Sequence, residues 1–408
     1  MKGPIISISS LLMSIGILLS GNALQGTLLV LRGHEEGFSE GVIGVIMSLY
    51  FLGFMAGTFL CPGMIRRVGH IRSFATMAAF CSATIVMMGL WANPWLWGVM
   101  RFLLGICIVG IFMVIESWLN TQAGNENRGR IFSVYIMFNL GSMAIGQFLI
   151  LSGDLRTMDL FAIAAALYSL GIVPVALTQL PQPAPITGIR LRLRDLYQTS
   201  SLGFAGSFIS GLLNSLFWSL GPLYARLSNL DNLGIAMFMG TAILGGLLLL
   251  WPIGKWSDRT DRRTAIMIIS FNSVVISILA MLVPANPYYL LSMCMFIYGG
   301  MMFSIYPLSV AHANDHSRAT DRVAITTNLL LIYSIGAVIG PLIGGGLMQV
   351  LGHYILFGLF ILGGTVLGCY AYYRRRHGIE IPVTEQAPFT PYVRTSQAAV
   401  NLESVKPS

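Results

Sequence analysis

Twelve apolar segments recur along this chain, and a bilayer-spanning helix needs about 20 such residues. They lie near residues 6–31, 40–61, 73–91, 95–119, 129–151, 159–180, 199–222, 233–253, 264–284, 288–311, 323–350 and 354–373. Lipid offers no partner for unpaired backbone groups, so a span must be a helix or a strand of a closed barrel. These segments lack the alternation of barrel strands. The sequence therefore predicts an all-α integral membrane protein with twelve transmembrane helices.

The composition supports this prediction. Hydrophobic residues make up 55% of the 408 residues and charged residues only 10%, whereas soluble domains carry about 25% charge. An ordinary cytosolic enzyme and a disordered protein are excluded. The net charge of +8 suggests a nucleic-acid partner only until the positions of the basic residues are considered.

The basic residues lie almost entirely on one side of the predicted membrane. Of the 24 Lys and Arg residues, 20 fall in alternate connections or at the two ends of the chain. Only Arg32, Arg156 and Arg226 fall on the other side, and Arg101 lies within a span. By the positive-inside rule, both termini are expected in the cytoplasm of a multi-pass inner-membrane protein. The basic excess thus reflects topology and attraction to anionic lipid, and no nucleic-acid binding is expected.

The two halves of the chain resemble each other at a separation of about 190–195 residues, a symmetry common in transporter folds. The first span contains Ser20-Gly21-Asn22, and the seventh contains Ser210-Gly211 and Asn214. The longest inside connection divides the spans six and six. We therefore predict two pseudo-symmetric six-helix bundles at 1–180 and 199–375, a cytoplasmic linker at 181–198 and a disordered tail at 376–408.

Three motifs resemble those of the major facilitator superfamily over residues 1–375. The connection after the eighth span, Gly254–Arg263, is similar to its G-x-x-x-D-R-x-G-R-R signature, with Asp261 at the second glycine. Arg101 and Gly105 resemble its R-x-x-x-G element, and the eleventh span resembles its Gly-Pro element. Glu116-Ser117-Trp118, Asn127–Arg130 and Trp251–Gly254 are similar to the YcaD-like branch.

The first-half copy of the loop signature departs from the pattern. Pro62 stands where its glycine belongs, and Arg66 stands where its aspartate belongs. The intact copy is therefore the one at Asp258.

The resemblance implies a substrate cavity between the halves, lined by the first, fourth, seventh and tenth spans. The residues expected there are Asn22, Gln25, Arg101, Ser210, Asn214, Trp218 and Tyr298, with Ser207 and Tyr306 on the same spans. Such polar residues can instead bond one helix to another. A largely apolar pocket with a few polar anchors suits a small organic or drug-like compound better than a bare inorganic ion.

Two charged residues lie well inside a span, 15 residues apart on the fourth. Arg101 either holds an anionic group and organises polar side chains, or snorkels outward or binds helix carbonyls. Glu116 either titrates and couples protons to transport, or forms a salt bridge with an inner basic residue such as Arg72 or Arg130. A rise of 1.5 Å per residue separates the two by about 22 Å, so they are not expected to pair.

The resemblance implies that the loop after the eighth span is a gate, formed by Gly254, Asp258, Arg259 and Arg262. The positive N-terminal end of the eleventh span, near 322–325, is a favourable place for the Asp258 carboxylate. The alternative is a solvated turn that serves topology only.

The eleventh span carries glycines at a spacing that brings them to one helix face. Gly336, Gly340, Pro341 and Gly344 predict close helix packing together with a bend, because proline frees a carbonyl within the helix.

Together these features predict a secondary transporter that moves a small organic solute by alternating access, with proton coupling, and that works as a monomer in the lipid bilayer. A passive facilitator of the same fold is the alternative. No G-x-x-x-x-G-K-[ST] motif is present to bind ATP, and no cofactor is expected. Copper transport through the 22 Met residues, a metal site at the five Cys residues and a membrane-embedded enzyme are less favoured.

Overall fold

A computed structural model of the protein describes residues 2–122, 128–178, 183, 193–285, 287–318, 321–378 and 381–389. Over these residues the chain forms α-helices, two short 3-10 turns and the loops that join them, without a β-strand.

The first half contains seven α-helices: α1 Lys2–Glu35, α2 Glu40–Val68, α3 His70–Leu90, α4 Pro94–Gln122, α5 Arg128–Phe148, α6 Asp159–Leu170 and α7 Val173–Ala176. A 3-10 turn, Leu149–Ser152, extends α5. The sixth predicted span is therefore divided into α6 and α7.

The second half also contains seven: α8 Leu193–Thr199, α9 Ser201–Leu227, α10 Asn232–Ser257, α11 Arg262–Leu282, α12 Tyr289–Asp315, α13 Arg322–Leu351 and α14 Ile355–His377. A last 3-10 turn spans Val383–Glu385. Eleven of the helical segments are long and apolar enough to cross a membrane. The remaining predicted span, the seventh at 199–222, corresponds to α9, which is 27 residues long and rich in serine. The predicted all-helical membrane fold is confirmed.

Local sequence signals set several helix ends. Gly69 adopts a φ of 90°, and its N–H donates to the Ile65 carbonyl, so one residue ends α2 and permits α3 to start in a new direction. The Asp231 carboxylate accepts the Gly234 N–H at 2.8 Å and caps α10.

The chain divides into two compact units, unit 1 within residues 1–189 and unit 2 within 190–392. In unit 1, α2 packs on α4, α1 packs on α5 and α6, and α3 packs on α4 and α6. In unit 2, α10 packs on α12, α9 packs on α13, and α11 packs on α14 and α12.

The internal repeat extends to individual glycine contacts. A Cβ at Gly53 would lie 2.0 Å from the Phe102 carbonyl oxygen, and one at Gly245 would lie 1.8 Å from the Phe296 carbonyl oxygen. Such distances bring helix backbones into direct contact, as small residues allow in membrane proteins.

Glycines of α4 and α12 contact the backbones of α2 and α10 in the same way. A Cβ at Gly105 would lie 2.1 Å from the Tyr50 carbonyl oxygen, and one at Gly299 would lie 1.9 Å from the Ala242 carbonyl oxygen. The α2–α4 and α10–α12 pairs are therefore equivalent at these contact positions.

Of the disordered tail expected at 376–408, the structure describes only 376–378 and 381–389, and the rest of that range lies outside the described residues. α14 continues to His377, and residues 381–389 lie in a defined conformation in unit 2. The predicted linker at 181–198 lies mostly outside the described residues, although α8 begins within it at Leu193.

Candidate functional site

Arg101 is buried in α4 with only 3% of its surface exposed. Its guanidinium carbon lies 4.4 Å from the centre of the Tyr50 ring on α2. Among the described residues, no salt bridge joins it to a carboxylate, and its Nε has no hydrogen-bond partner. A cation over a ring face is stabilised by the ring quadrupole, but this leaves its N–H donors available.

Tyr168 connects this region to α1. Its hydroxyl is 3.0 Å from Asn22 Oδ1 and 3.3 Å from Gln25 Oε1, and donates to these amide oxygens. Tyr168 also lies close enough to Arg101 to interact with it electrostatically. The buried Gln25 Nε2 has no hydrogen-bond partner in the described part of the chain.

The structure thus brings three predicted residues, Asn22, Gln25 and Arg101, into one cluster with two tyrosines. We call these five residues the arginine cluster. Sequence reasoning missed Tyr50 and Tyr168, because a tyrosine in an apolar helix also fits an interfacial or packing role. For the α1 residues, the sequence signal is the spacing of Asn22 and Gln25, which places both side chains on one face of the helix.

The arginine–tyrosine pair is specific to unit 1. The matching glycine contacts of the two units align Tyr50 with Ala242 and Phe102 with Phe296. Arg101, which precedes Phe102, therefore aligns with Met295. Unit 2 therefore builds the same helix contact from apolar side chains, and the contact itself does not require a charge.

The predicted residues of unit 2 are placed in separate surroundings. Asn214 Nδ2 donates to the Ser210 carbonyl at 2.9 Å and to its hydroxyl at 3.3 Å, within α9. Trp218 packs edge-on against Phe303, with ring centres 6.3 Å apart.

Tyr298 of α12 instead stacks on Phe360 of α14 at 4.7 Å. Its hydroxyl is buried and has no hydrogen-bond partner in the described part of the chain.

Glu116 lies near the C-terminal end of α4 and is fully buried. The Tyr135 hydroxyl donates to Glu116 Oε1 at 2.9 Å. Arg72 and Arg130, the salt-bridge partners considered from the sequence, are exposed.

The predicted gate residues form an ion network at the end of α10 and the start of α11. Arg262 Nη2 lies 3.2 Å from Asp258 Oδ1, Nε lies 2.5 Å from Asp315 Oδ2, and Nη1 lies 2.8 Å from Ser257 Oγ. Arg259 is exposed. We call Asp258, Arg262 and Asp315 the gate network. Sequence reasoning missed Asp315, which lies at the last residue of α12.

Asp258, for which the start of α13 is a favourable place, has other partners in this structure. Among the described residues, its carboxylate binds Arg262 and the Phe389 N–H, the latter at 2.8 Å. The second donor to this carboxylate is thus the Phe389 N–H, and not the N-terminal end of α13.

The glycines of α13 face α9. A Cβ at Gly336 would lie 2.1 Å from the Phe208 carbonyl oxygen, at Gly340 2.3 Å from Ser215 Oγ, and at Gly344 2.3 Å from Leu216 Cδ2. Pro341 lies inside the helix between them.

Over the described residues, no three His, Cys, Asp or Glu side chains are placed to hold a metal ion. The five cysteines are free thiols.

Comparison with known proteins shows which family this sequence belongs to. The sequence model of the Major Facilitator Superfamily matches residues 6–329 and 203–402. Two bacterial proteins called uncharacterized MFS-type transporter YcaD, from Shigella flexneri and Escherichia coli K12, are 30% identical over 346 residues. Each alignment covers 82% of this chain and 87% of the relative.

Solved structures share the fold at low sequence identity. The nucleoside transporter NupG superposes with a TM-score of 0.74 at 13% identity, covering 92% of this chain and 100% of its own. The human organic anion transporter MFSD10 gives a TM-score of 0.59 at 13% identity, covering 90% and 100%. With the family match, these relationships show that the chain is a non-enzymatic, multi-pass membrane transporter that belongs to the major facilitator superfamily.

Proposed function

We propose that the protein is a secondary transporter that moves a small organic solute across the bacterial inner membrane and holds an anionic group of that solute at Arg101. The two units alternate access to the solute, both termini lie in the cytoplasm, and the monomer is the working unit. The single observation that carries the proposal is the buried guanidinium of Arg101, which lacks a carboxylate partner among the described residues.

A charge in this position is expensive. Placing arginine at the centre of a bilayer costs about 2.5–3.5 kcal/mol on insertion scales. The cation–π contact with Tyr50 offsets about 0.5–2 kcal/mol of this free energy. Because unit 2 packs the equivalent helices with Met295 and Ala242, the fold does not need the charge, and a ligand is the natural reason for it.

The remaining polar groups of the cluster favour a solute that also carries hydrogen-bond acceptors. Gln25 Nε2 and Arg101 Nε are buried donors without partners in the described part of the chain. A carboxylate or phosphate accepts from both donor types, and a charge-assisted bond to arginine is stronger than a neutral one. We assign the recognised group to this chemical class.

Proton coupling is proposed to reside at Glu116. Within the described part of the chain it is the one acidic side chain well inside a span, it is fully buried, and it accepts from Tyr135. Burial favours the neutral acid, whereas hydrogen bonds to the carboxylate favour the anion, so a change in its surroundings would bind or release a proton. The scarcity of other carboxylates in the spans favours the second candidate, a passive facilitator.

Transport into proteoliposomes separates these functions. A solute is first identified by screening metabolites and drug-like acids for stabilisation of the purified protein. Uptake is then measured with and without an imposed pH gradient. Accumulation above equilibrium only with the gradient supports proton coupling, whereas equilibration at the same rate in both conditions supports a facilitator. No uptake of any stabilising solute would contradict the transport proposal.

A further inference from the structure

The gate network binds a short peptide, and the peptide is part of this chain. The Ala387 N–H donates to Asp315 Oδ1 at 3.0 Å, and the Phe389 N–H donates to Asp258 Oδ1 at 2.8 Å. Arg262 Nη2 donates to the Ala387 carbonyl. We call residues 386–389 the C-terminal strap.

The extended conformation of the strap explains why the N–H groups of alternate residues, Ala387 and Phe389, contact the gate network. In an extended chain, residues two apart direct their backbone groups to the same side. Gln386 is extended, with φ −68° and ψ 138°. Ala387 and Phe389 both face the network, and Pro388 between them has no N–H to leave unsatisfied. Recognition uses main-chain donors, so it depends on shape and register.

Charge also favours the strap. The network contains two carboxylates and one guanidinium, and Arg262 and Asp315 are only 2% and 3% exposed. Arg262 occupies Asp315 Oδ2, which leaves Oδ1 to the strap N–H. A buried carboxylate oxygen without a donor is costly. The strap supplies that donor without adding another charge.

An aromatic anchor completes the site. The Phe389 ring lies over Gly254, where a Cβ would be 2.1 Å from its Cδ1 and 2.7 Å from its Cγ. The ring therefore occupies a position that only a glycine in α10 leaves open. Arg263 holds the chain where it leaves α14, because its Nη1 donates to the Gly378 carbonyl at 3.1 Å.

From these contacts we infer that residues 254–262 and Asp315 form a binding site for an extended peptide, that the C-terminal strap is its ligand, and that the bound strap holds the inner ends of α10, α11 and α12 together. The strap must leave before these ends separate. The docking rests on the contacts alone, and its effect on transport rests on the proposed function.

Hydrogen–deuterium exchange of the full-length protein tests the inference without a substrate. The Gly254→Ala variant should still fold, because alanine favours a helix over glycine, but its methyl group collides with the Phe389 ring. We expect the amides of Ala387 and Phe389 to exchange about tenfold faster, the loss expected for one hydrogen bond. Phe389→Ala should give the same result by removing the anchor.

The matched control is Gly346→Ala, since a Cβ at this glycine of α13 meets nothing within 4 Å. Its strap should exchange as in the unchanged protein. Unprotected strap amides in the unchanged protein, or equal protection in Gly254→Ala, would overturn the docking. Exchange in 257–262 and 312–316 should also rise when the strap is released, and unchanged exchange there would overturn its holding role. Because the readout involves no solute, these results do not depend on whether transport is found.

Discussion

The guanidinium carbon of Arg101 lies 4.4 Å from the centre of the Tyr50 ring, across the backbone contact between α4 and α2. The equivalent positions of the second unit hold Met295 and Ala242, and the two helices there pack just as closely. The repeat thus keeps the helix contact in both units and places the charge in one of them. This asymmetry separates what the fold requires from what we assign to solute binding.

The Tyr168 hydroxyl positions two amides of α1, and its removal should weaken solute binding. In Tyr168→Phe, Asn22 Oδ1 and Gln25 Oε1 lose a donor, and we expect affinity to fall about tenfold, as for one buried hydrogen bond. Solute titrations of the melting temperature measure this change. Tyr289→Phe, at an exposed tyrosine, should bind as the unchanged protein does. Equal affinities in all three proteins would remove Tyr168 from the site.

Replacement of Glu116 tests the proton coupling. Glu116→Gln keeps the bond from Tyr135 but cannot titrate, so gradient-driven accumulation should disappear while equilibration continues. Uptake by proteoliposomes at several external pH values measures it. Glu36→Gln, at an exposed carboxylate paired with Arg32, should behave as the unchanged protein. If Glu116→Gln retains the same pH dependence, Glu116 has no coupling role.

The close approach of α2 and α4 predicts a large difference between two glycines of one helix. Gly53→Ala places a methyl group 2.0 Å from the Phe102 carbonyl oxygen and should destabilise the protein by about 1–3 kcal/mol through overpacking. Gly63→Ala meets nothing within 4 Å and should be neutral or slightly stabilising. Thermal unfolding in detergent compares them. Equal melting temperatures would contradict the backbone contact.

His353, in the turn between α13 and α14, gives the protein a weak acid sensitivity. Burial lowers its pKa from the usual 6.5, and its ring packs 5.6 Å from that of Tyr224. The folded state favours the neutral ring, so this contribution is fully present above pH 6.5 and is lost as the pH falls from there through the lower pKa of the folded state. The loss is small because the ring is only partly buried and solvent screens its charge.

Melting curves between neutral and mildly acidic pH measure this contribution. The decrease in melting temperature on acidification should be smaller in His353→Gln than in the unchanged protein. An identical decrease in both proteins would show that His353 does not contribute.

The sequence predicts the spans well because the apolar runs report directly on lipid burial. Asn22, Gln25 and Arg101 are also conspicuous in such runs because they are polar or charged, and their assignment to a binding site stays a prediction. The sequence does not predict Tyr50 or Tyr168, because only tertiary packing brings Tyr168 to α1 from the far end of unit 1.

The gate network illustrates a second limit. The loop signature at 254–263 indicates Asp258 and Arg262, but Asp315 has no motif around it. The strap contacts the network mainly through backbone groups, which every residue except proline carries. A polar stretch after the last span therefore resembles a disordered tail, although 381–389 is part of unit 2.

The most direct test of the proposed site is solute-induced stabilisation of Arg101→Met, which installs the side chain found at the equivalent position of unit 2. The variant should fold, and a carboxylate or phosphate solute that stabilises the unchanged protein should lose its effect, with affinity reduced by at least about tenfold, as expected for a charge-assisted hydrogen bond. Arg156→Ala, which removes an exposed ion pair with Glu35, should retain the stabilisation. Equal stabilisation of Arg101→Met and the unchanged protein by every such solute would contradict the assignment of Arg101 as the anion-binding residue.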